Sequence, residues 1–249
     1  MALTIRRGLG GLLAGLALFV SLPRAALACG GSGPGGTGAC PFPTNKRVIH
    51  LGASLGTSWS RISFGSGRKV DTRRTVAFAS LATSLGTRTL IEFAVGGLLP
   101  GGTLSGATRA DLGPGAALAV TLAWRVFEAR GARPFLTFTG TLSGLAATTR
   151  LSTGEHVPYG ALDARLGANA GYTLWNTVRP YAVGRVFGGP VLWKYVDATG
   201  AGERVQGTDI YKYQLGGGVA WRLPEGFDAF VEGVGLGERG LFVGVGRAF

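Results

Sequence analysis

From residue 47 to the carboxyl end, apolar and polar positions alternate with a period of two. The alternation falls into ten segments: 47–64, 74–85, 88–99, 116–128, 134–148, 160–175, 180–195, 208–223, 227–237 and 241–249. Successive side chains of a strand point to opposite faces, so each segment predicts a strand with one oily face. In the fourth, Leu118, Val120, Leu122, Trp124 and Val126 alternate with Ala119, Thr121, Ala123 and Arg125. In the sixth, Leu162, Leu166, Tyr172 and Leu174 alternate with Asp163, Arg165, Asn169 and Thr173. In the eighth, Tyr211, Tyr213, Leu215, Val219 and Trp221 alternate with Lys212, Gln214 and Arg222. Most segments exceed the ~5–6 residues of an ordinary strand. They reach the ~9–11 residues that a tilted strand needs to cross a bilayer.

The connections carry a second period. They are 65–73, 86–87, 100–115, 129–133, 149–159, 176–179, 196–207, 224–226 and 238–240. The even-numbered ones are short, and all but the last of the odd-numbered ones are long. A barrel crossing a membrane has short turns on one side and longer loops on the other. Pro134 and Pro180 each open a strand, where no ladder donor is needed. Gly188-Gly189-Pro190 lies inside the seventh segment and predicts a bulge or a break in pairing.

Composition sharpens this picture. Hydrophobic residues are 46% of the chain, only 15% are charged, and glycine numbers 45. Such a glycine content weakens helices and suits strands with one crowded, small-residue face. The first 28 residues differ. Arg6 and Arg7 precede an apolar run, 8–22, too short to span a membrane, and Ala26-Leu27-Ala28 is a small-x-small cleavage site. Residues 1–28 therefore read as a signal peptide for export, with 29–46 as a Gly/Pro-rich periplasmic extension. Removing 1–28 leaves 22 basic and 13 acidic residues, a charge of +9. On an exported chain, that charge points to lipid or lipopolysaccharide phosphates and not to nucleic acid. Cys29 and Cys40 flank a glycine-rich loop, so a disulfide between them is expected in an oxidising compartment; a lipid on Cys29 is the alternative.

Phe249 ends the last strand on the face of Val245, Val243 and Leu241, and aromatics cluster near strand ends. On these features the chain resembles small outer-membrane β-barrel proteins of Gram-negative bacteria. The resemblance implies an all-β fold: a closed antiparallel transmembrane β-barrel of about ten strands over 47–249. It implies location in the cell outer membrane and contact with outer-membrane lipid. It also implies delivery by the barrel-assembly machinery, with Phe249 as assembly signal. Arg247 departs from the pattern, since an aromatic or apolar residue is usual there; snorkelling would accommodate it.

Strand parity assigns Glu92, Arg125, Asp163, Arg165, Lys212, Arg222 and Glu232 to the lumen. Charges in so narrow an interior must pair or stay hydrated. Paired charges would hold the barrel shut, whereas a one-sided ring of charge would conduct. The expected function is thus structural or surface-interacting, around a largely closed polar lumen, with a narrow passive channel for small solutes as the alternative. An outer-membrane hydrolase is a more distant reading. Only His50 and His156 are available as bases, and nothing local orients them, so no enzyme activity is expected. No spacing fits a metal or cofactor. Arg68, Lys69, Arg73 and Arg74 make the first outer connection the most basic and are the candidates for lipopolysaccharide contact.

Overall fold

The long alternating segments form β-strands in the computed structural model, which describes residues 49–65, 67–105, 109–127, 134–152, 154–196 and 202–249. The segments read as signal peptide and extension, with Cys29 and Cys40, lie outside the described residues. The strands are β1 (Ile49–Phe64), β2 (Lys69–Ser84), β3 (Thr89–Leu98), β4 (Gly102–Ser105), β5 (Arg109–Phe127), β6 (Phe135–Leu151) and β7 (His156–Gly171). They continue as β8 (Val178–Gly188), β9 (Val191–Val196), β10 (Gly202–Asp209), β11 (Tyr213–Arg222), β12 (Phe227–Gly237) and β13 (Arg239–Ala248). All pairings are antiparallel, and β13 pairs with β1 from His50↔Ala248 to Trp59↔Arg239. The sheet thereby closes on itself.

Three barrel strands are each drawn in two pieces. β3 and β4 both lie between β2 and β5; β8 and β9 both lie on β7. β10 and β11 make the third such strand, so the ring holds about ten strands. The β8–β9 break falls at Gly189 and Pro190, as the proline predicts. A Cβ on Gly189 would stand 1.9 Å from the Leu162 carbonyl oxygen, so only glycine fits this close approach.

The long outer connections are not loops, which corrects the sequence reading. β2 begins at Lys69, β5 at Arg109 and β7 at His156, while β6 runs on to Leu151, so the wall itself projects outward. The reason is legible in β5. Its register shifts between Leu112 and Gly115, and this bulge exchanges the faces. Ala110 and Leu112 point inward below it in sequence, and Ala117, Ala119 and Ala123 above it. An alternation that changes phase at a glycine-rich bulge resembles an irregular loop.

The β12–β13 hairpin is shorter than the rest of the wall. Beyond its tip, β10 pairs directly with β1, from Ile62↔Asp209 to Phe64↔Gly207. The outer rim is therefore a ring of eight strands: β1, β2, β4, β5, β6, β7, β9 and β10. An eight-stranded ring is just wide enough for side chains to fill.

Both faces of the wall carry apolar residues. Outside, Leu118, Leu122, Leu142, Leu162, Leu166 and Val245 are among many large apolar side chains left exposed. An apolar outer face of this kind suits a bilayer, and strands with their edges closed can cross one. Inside, the outer end is apolar as well: Ile62, Phe64, Val70, Leu104, Leu112, Leu151 and Trp193 are buried together. The expectation of a polar lumen is corrected here. The lumen is polar at its middle and apolar at its outer end, where the narrowing to eight strands leaves no room for hydration.

Candidate functional site

The interior is the region with unusual chemistry, and it is built in layers. In the outermost, Phe64 and Trp193 meet with ring centroids 5.9 Å apart, and the indole Nε1 donates to Thr149 Oγ1 at 3.0 Å. Trp193 and Tyr159 both turn inward and are buried.

The middle layer is ionic. Glu238 sits at the tip of the β12–β13 hairpin, where its backbone N–H donates to the Tyr213 carbonyl at 3.1 Å, and its side chain enters the lumen fully buried. Arg74 Nη2 lies 3.2 Å from its Oε1, and Arg165 Nη2 lies 2.9 Å from its Oε2. Arg74 Nε donates to Ser58 Oγ at 3.1 Å. Arg165 also pairs with Asp163 on its own strand and stacks 4.3 Å from the Phe187 ring centroid. Beside this cluster, Arg185 holds Glu232 with both ends of its fork, Nη1 to Oε1 at 2.7 Å and Nη2 to Oε2 at 2.9 Å. The Tyr181 hydroxyl donates to Glu232 at 3.2 Å. Gln214 joins the two groups: its amide nitrogen donates to Glu238 at 2.8 Å, and its amide oxygen accepts from Arg185 at 3.5 Å.

Toward the end where β1 begins and β13 ends, the layer is aromatic. Phe135, Tyr181, Phe230 and Phe242 are buried together. Their rings lie over glycines of the facing strands: a Cβ on Gly244 would come within 2.2 Å of Phe230. His50 Nε2 lies 3.1 Å from Asp228 Oδ2, both buried, with Gly246 directly beneath the imidazole. His50 Nδ1 has no hydrogen-bond partner among the described residues.

Of the residues assigned to the lumen by parity, Glu92, Arg125, Arg165 and Glu232 are buried there, with Asp163 half-buried beside Arg165. Arg125 caps the turn at that end, donating to the Thr87 carbonyl at 2.6 Å. Arg222 is half-buried and stands apart from the ionic layer. Lys212 is exposed, a correction: pairing is interrupted at 210–212, between β10 and β11, so the parity of β11 does not extend to it. Arg74 is corrected too. It was placed with the outer basic residues, but it faces inward to Glu238, whereas Lys69 and Arg73 face out. The cross-lumen partners of Glu232 and Arg165 were not foreseen. Arg185 had the right parity to be found; Glu238 had the signature of a loop residue.

On the outer face, Arg247 is sandwiched between the rings of Phe227 and Phe249, its guanidinium carbon 4.7 and 5.3 Å from their centroids. The charge that departs from the expected pattern is thus covered by aromatic faces.

No protein-family model matches the chain, and no curated protein matches it. Solved structures are similar in fold. The translocator domain of the autotransporter NalP from Neisseria meningitidis aligns with a TM-score of 0.48 at 16% identity, covering 84% of this chain and 91% of that one. The outer membrane protease OmpT from Escherichia coli aligns at 0.47 and 11% identity, covering 84% and 98%. An outer membrane channel from Pseudomonas putida aligns at 0.40 and 12% identity, covering 84% and 97%.

Proposed function

We propose that the protein is an outer-membrane barrel with a closed lumen, acting through its wall and outer rim as a structural or surface-interacting element. The observation that carries this is the pairing of charge across the interior. Arg185 closes on Glu232 and both Arg74 and Arg165 close on Glu238, so acids and bases neutralise one another and present no one-sided ring to a passing ion. The apolar fill of the outer end supports the same reading, because a dry constriction opposes an ion's hydration shell. Export by the signal peptide, delivery by the barrel-assembly machinery through Phe249, and contact of Arg68 and Lys69 with lipopolysaccharide belong to the proposal. Catalysis and a bound cofactor are not part of it.

The test is electrical. Purified protein in planar bilayers is expected to give no stable single-channel current. Reproducible unitary conductance would replace this reading with the narrow channel. Fractionation tests the location: recovery as a soluble periplasmic protein would end the proposal.

A further inference from the structure

The narrowing of the wall leaves a mark on its outside. Where β10 crosses to β1 above the β12–β13 tip, the exterior has a notch of about 660 Å³. Trp59, Arg61, Arg73, Tyr211, Leu236 and Arg239 line it with Asp71. Register explains the arrangement. Trp59 is directly opposite Arg73 on one side and Arg239 on the other. Directly opposed residues have Cβ atoms about 4.5–5.5 Å apart, so two arginine side chains leave the wall beside one indole. Arg73 already lies 5.7 Å from the Trp59 ring centroid.

The charges do not cancel. Arg61 holds Asp71 through two hydrogen bonds, Nε to Oδ1 at 2.6 Å and Nη2 to Oδ2 at 3.0 Å. No carboxylate pairs with Arg73 or Arg239 among the described residues. The notch therefore carries an excess of two positive charges beside two aromatic rings.

Its height is informative. Trp59 lies ten residues above Ile49 on β1. At ~3.3 Å per residue and a tilt near ~40°, that is about 25 Å, the height of the apolar band of a membrane barrel. Beneath the notch the wall is oily: Leu55, Leu241 and Val243 are exposed on the same face. Cationic notch above, apolar wall below, is the outline of an anionic amphiphile.

We propose that the notch binds the phosphorylated head of an acylated glycolipid of the outer leaflet, its acyl chains lying along Leu55, Leu241 and Val243. The proposal rests on the outer-membrane placement above and gives the lipopolysaccharide contact a defined site, distinct from the turn of Arg68. Arg73 and Arg239 take the phosphate with their planar forks, Trp59 packs the sugar between them, and Arg61 is held in reserve by Asp71.

The experiment measures binding of bisphosphorylated lipid A to the full-length protein in detergent. Native mass spectrometry would be used, with dephosphorylated lipid A, phosphatidylglycerol and inorganic phosphate as separate arms. Arg73→Gln with Arg239→Gln is expected to weaken lipid A binding at least tenfold. Arg150→Gln, which removes an exposed arginine from elsewhere on the outer rim, is expected to leave it unchanged. Dephosphorylated lipid A should lose the same factor on the wild-type protein, an arm that needs no variant to fold. Equal binding of the phosphorylated and dephosphorylated forms would overturn the proposal. So would equal losses in the double variant and the Arg150 control, or competition by phosphatidylglycerol or phosphate at the affinity of lipid A. A protein that fractionates outside the outer membrane fails the functional reading instead, whatever it binds in detergent.

Discussion

Arg165 Nη2 lies 2.9 Å from Glu238 Oε2, joining the middle of β7 to the tip of the last hairpin across the barrel interior. Both side chains are almost wholly out of solvent. Removing the shared acid leaves Arg74 without its salt-bridge partner and Arg165 with Asp163 alone. Breaking a buried pair from one side costs about 3–5 kcal/mol. Glu238→Ala is therefore expected to lower the unfolding free energy by about that amount. Urea titration of the folded, heat-modifiable species would read it, and a loss below about 1 kcal/mol would show that water reaches the site.

Arg185 and Glu232 offer a cleaner measurement of the same physics. Each single replacement, Arg185→Met or Glu232→Leu, strands a charge. The double replacement strands none. The singles should destabilise strongly and the double much less than their sum, with a coupling energy of about 1–3 kcal/mol. Additive losses would mean that the fork-to-fork contact contributes nothing of its own.

At the other end of the lumen, Gly246 is the floor beneath the imidazole of His50. A Cβ there would stand 2.3 Å from Nε2 and 2.9 Å from Asp228 Oδ1. Gly246→Ala forces the His50–Asp228 pair aside, and overpacking of this kind costs about 1–3 kcal/mol. The same change at Gly233, where nothing lies within 4 Å of the added atom, should be nearly silent and serves as the control. Equal effects at the two glycines would refute the close contact.

The outer fill makes an electrical prediction. Trp193 is the largest side chain in that layer, held by Phe64 and Thr149. Trp193→Ala opens a cavity and should cost about 3–5 kcal/mol. Combined with Glu238→Ala it should give the otherwise silent protein measurable conductance in planar bilayers. Silence of the double variant would place the closure in another layer.

Phe249 can be tested by abundance. It covers Arg247 together with Phe227. Phe249→Ala should reduce the folded barrel recovered from outer-membrane fractions while leaving the refolded protein's lumen intact. Undiminished recovery would remove its role in assembly.

What the sequence reveals and conceals follows one rule. Parity reads a strand correctly for as long as its pairing is uninterrupted. Along β7 it places Asp163, Arg165 and Asn169 inward and Leu162 and Leu166 outward, as found. It fails across breaks. The bulge at Gly113–Gly115 hides the outer reach of β5, and the interruption at 210–212 misplaces Lys212. Glu238 was invisible for another reason. A residue in a three-residue turn signals solvent, and only the sideways spread of the hairpin tip onto β11 and β1 turns it inward. The pairs of the ionic layer join distant strands, a fact that no local pattern encodes.

The junction of β1, β10 and β13 also acts as a mechanical stop. A closed barrel whose strands alternate faces could, in principle, slide its closing edge by two residues and keep every side chain on its proper side. Here the tip of the last hairpin abuts the ladder that β10 makes with β1, immediately above it. Moving β13 outward by two residues would drive the tip into β10. Moving it inward would tear Glu238 from Arg74 and Arg165. The stagger that fixes the diameter of the barrel is set by this abutment, with the two arginines as its latch.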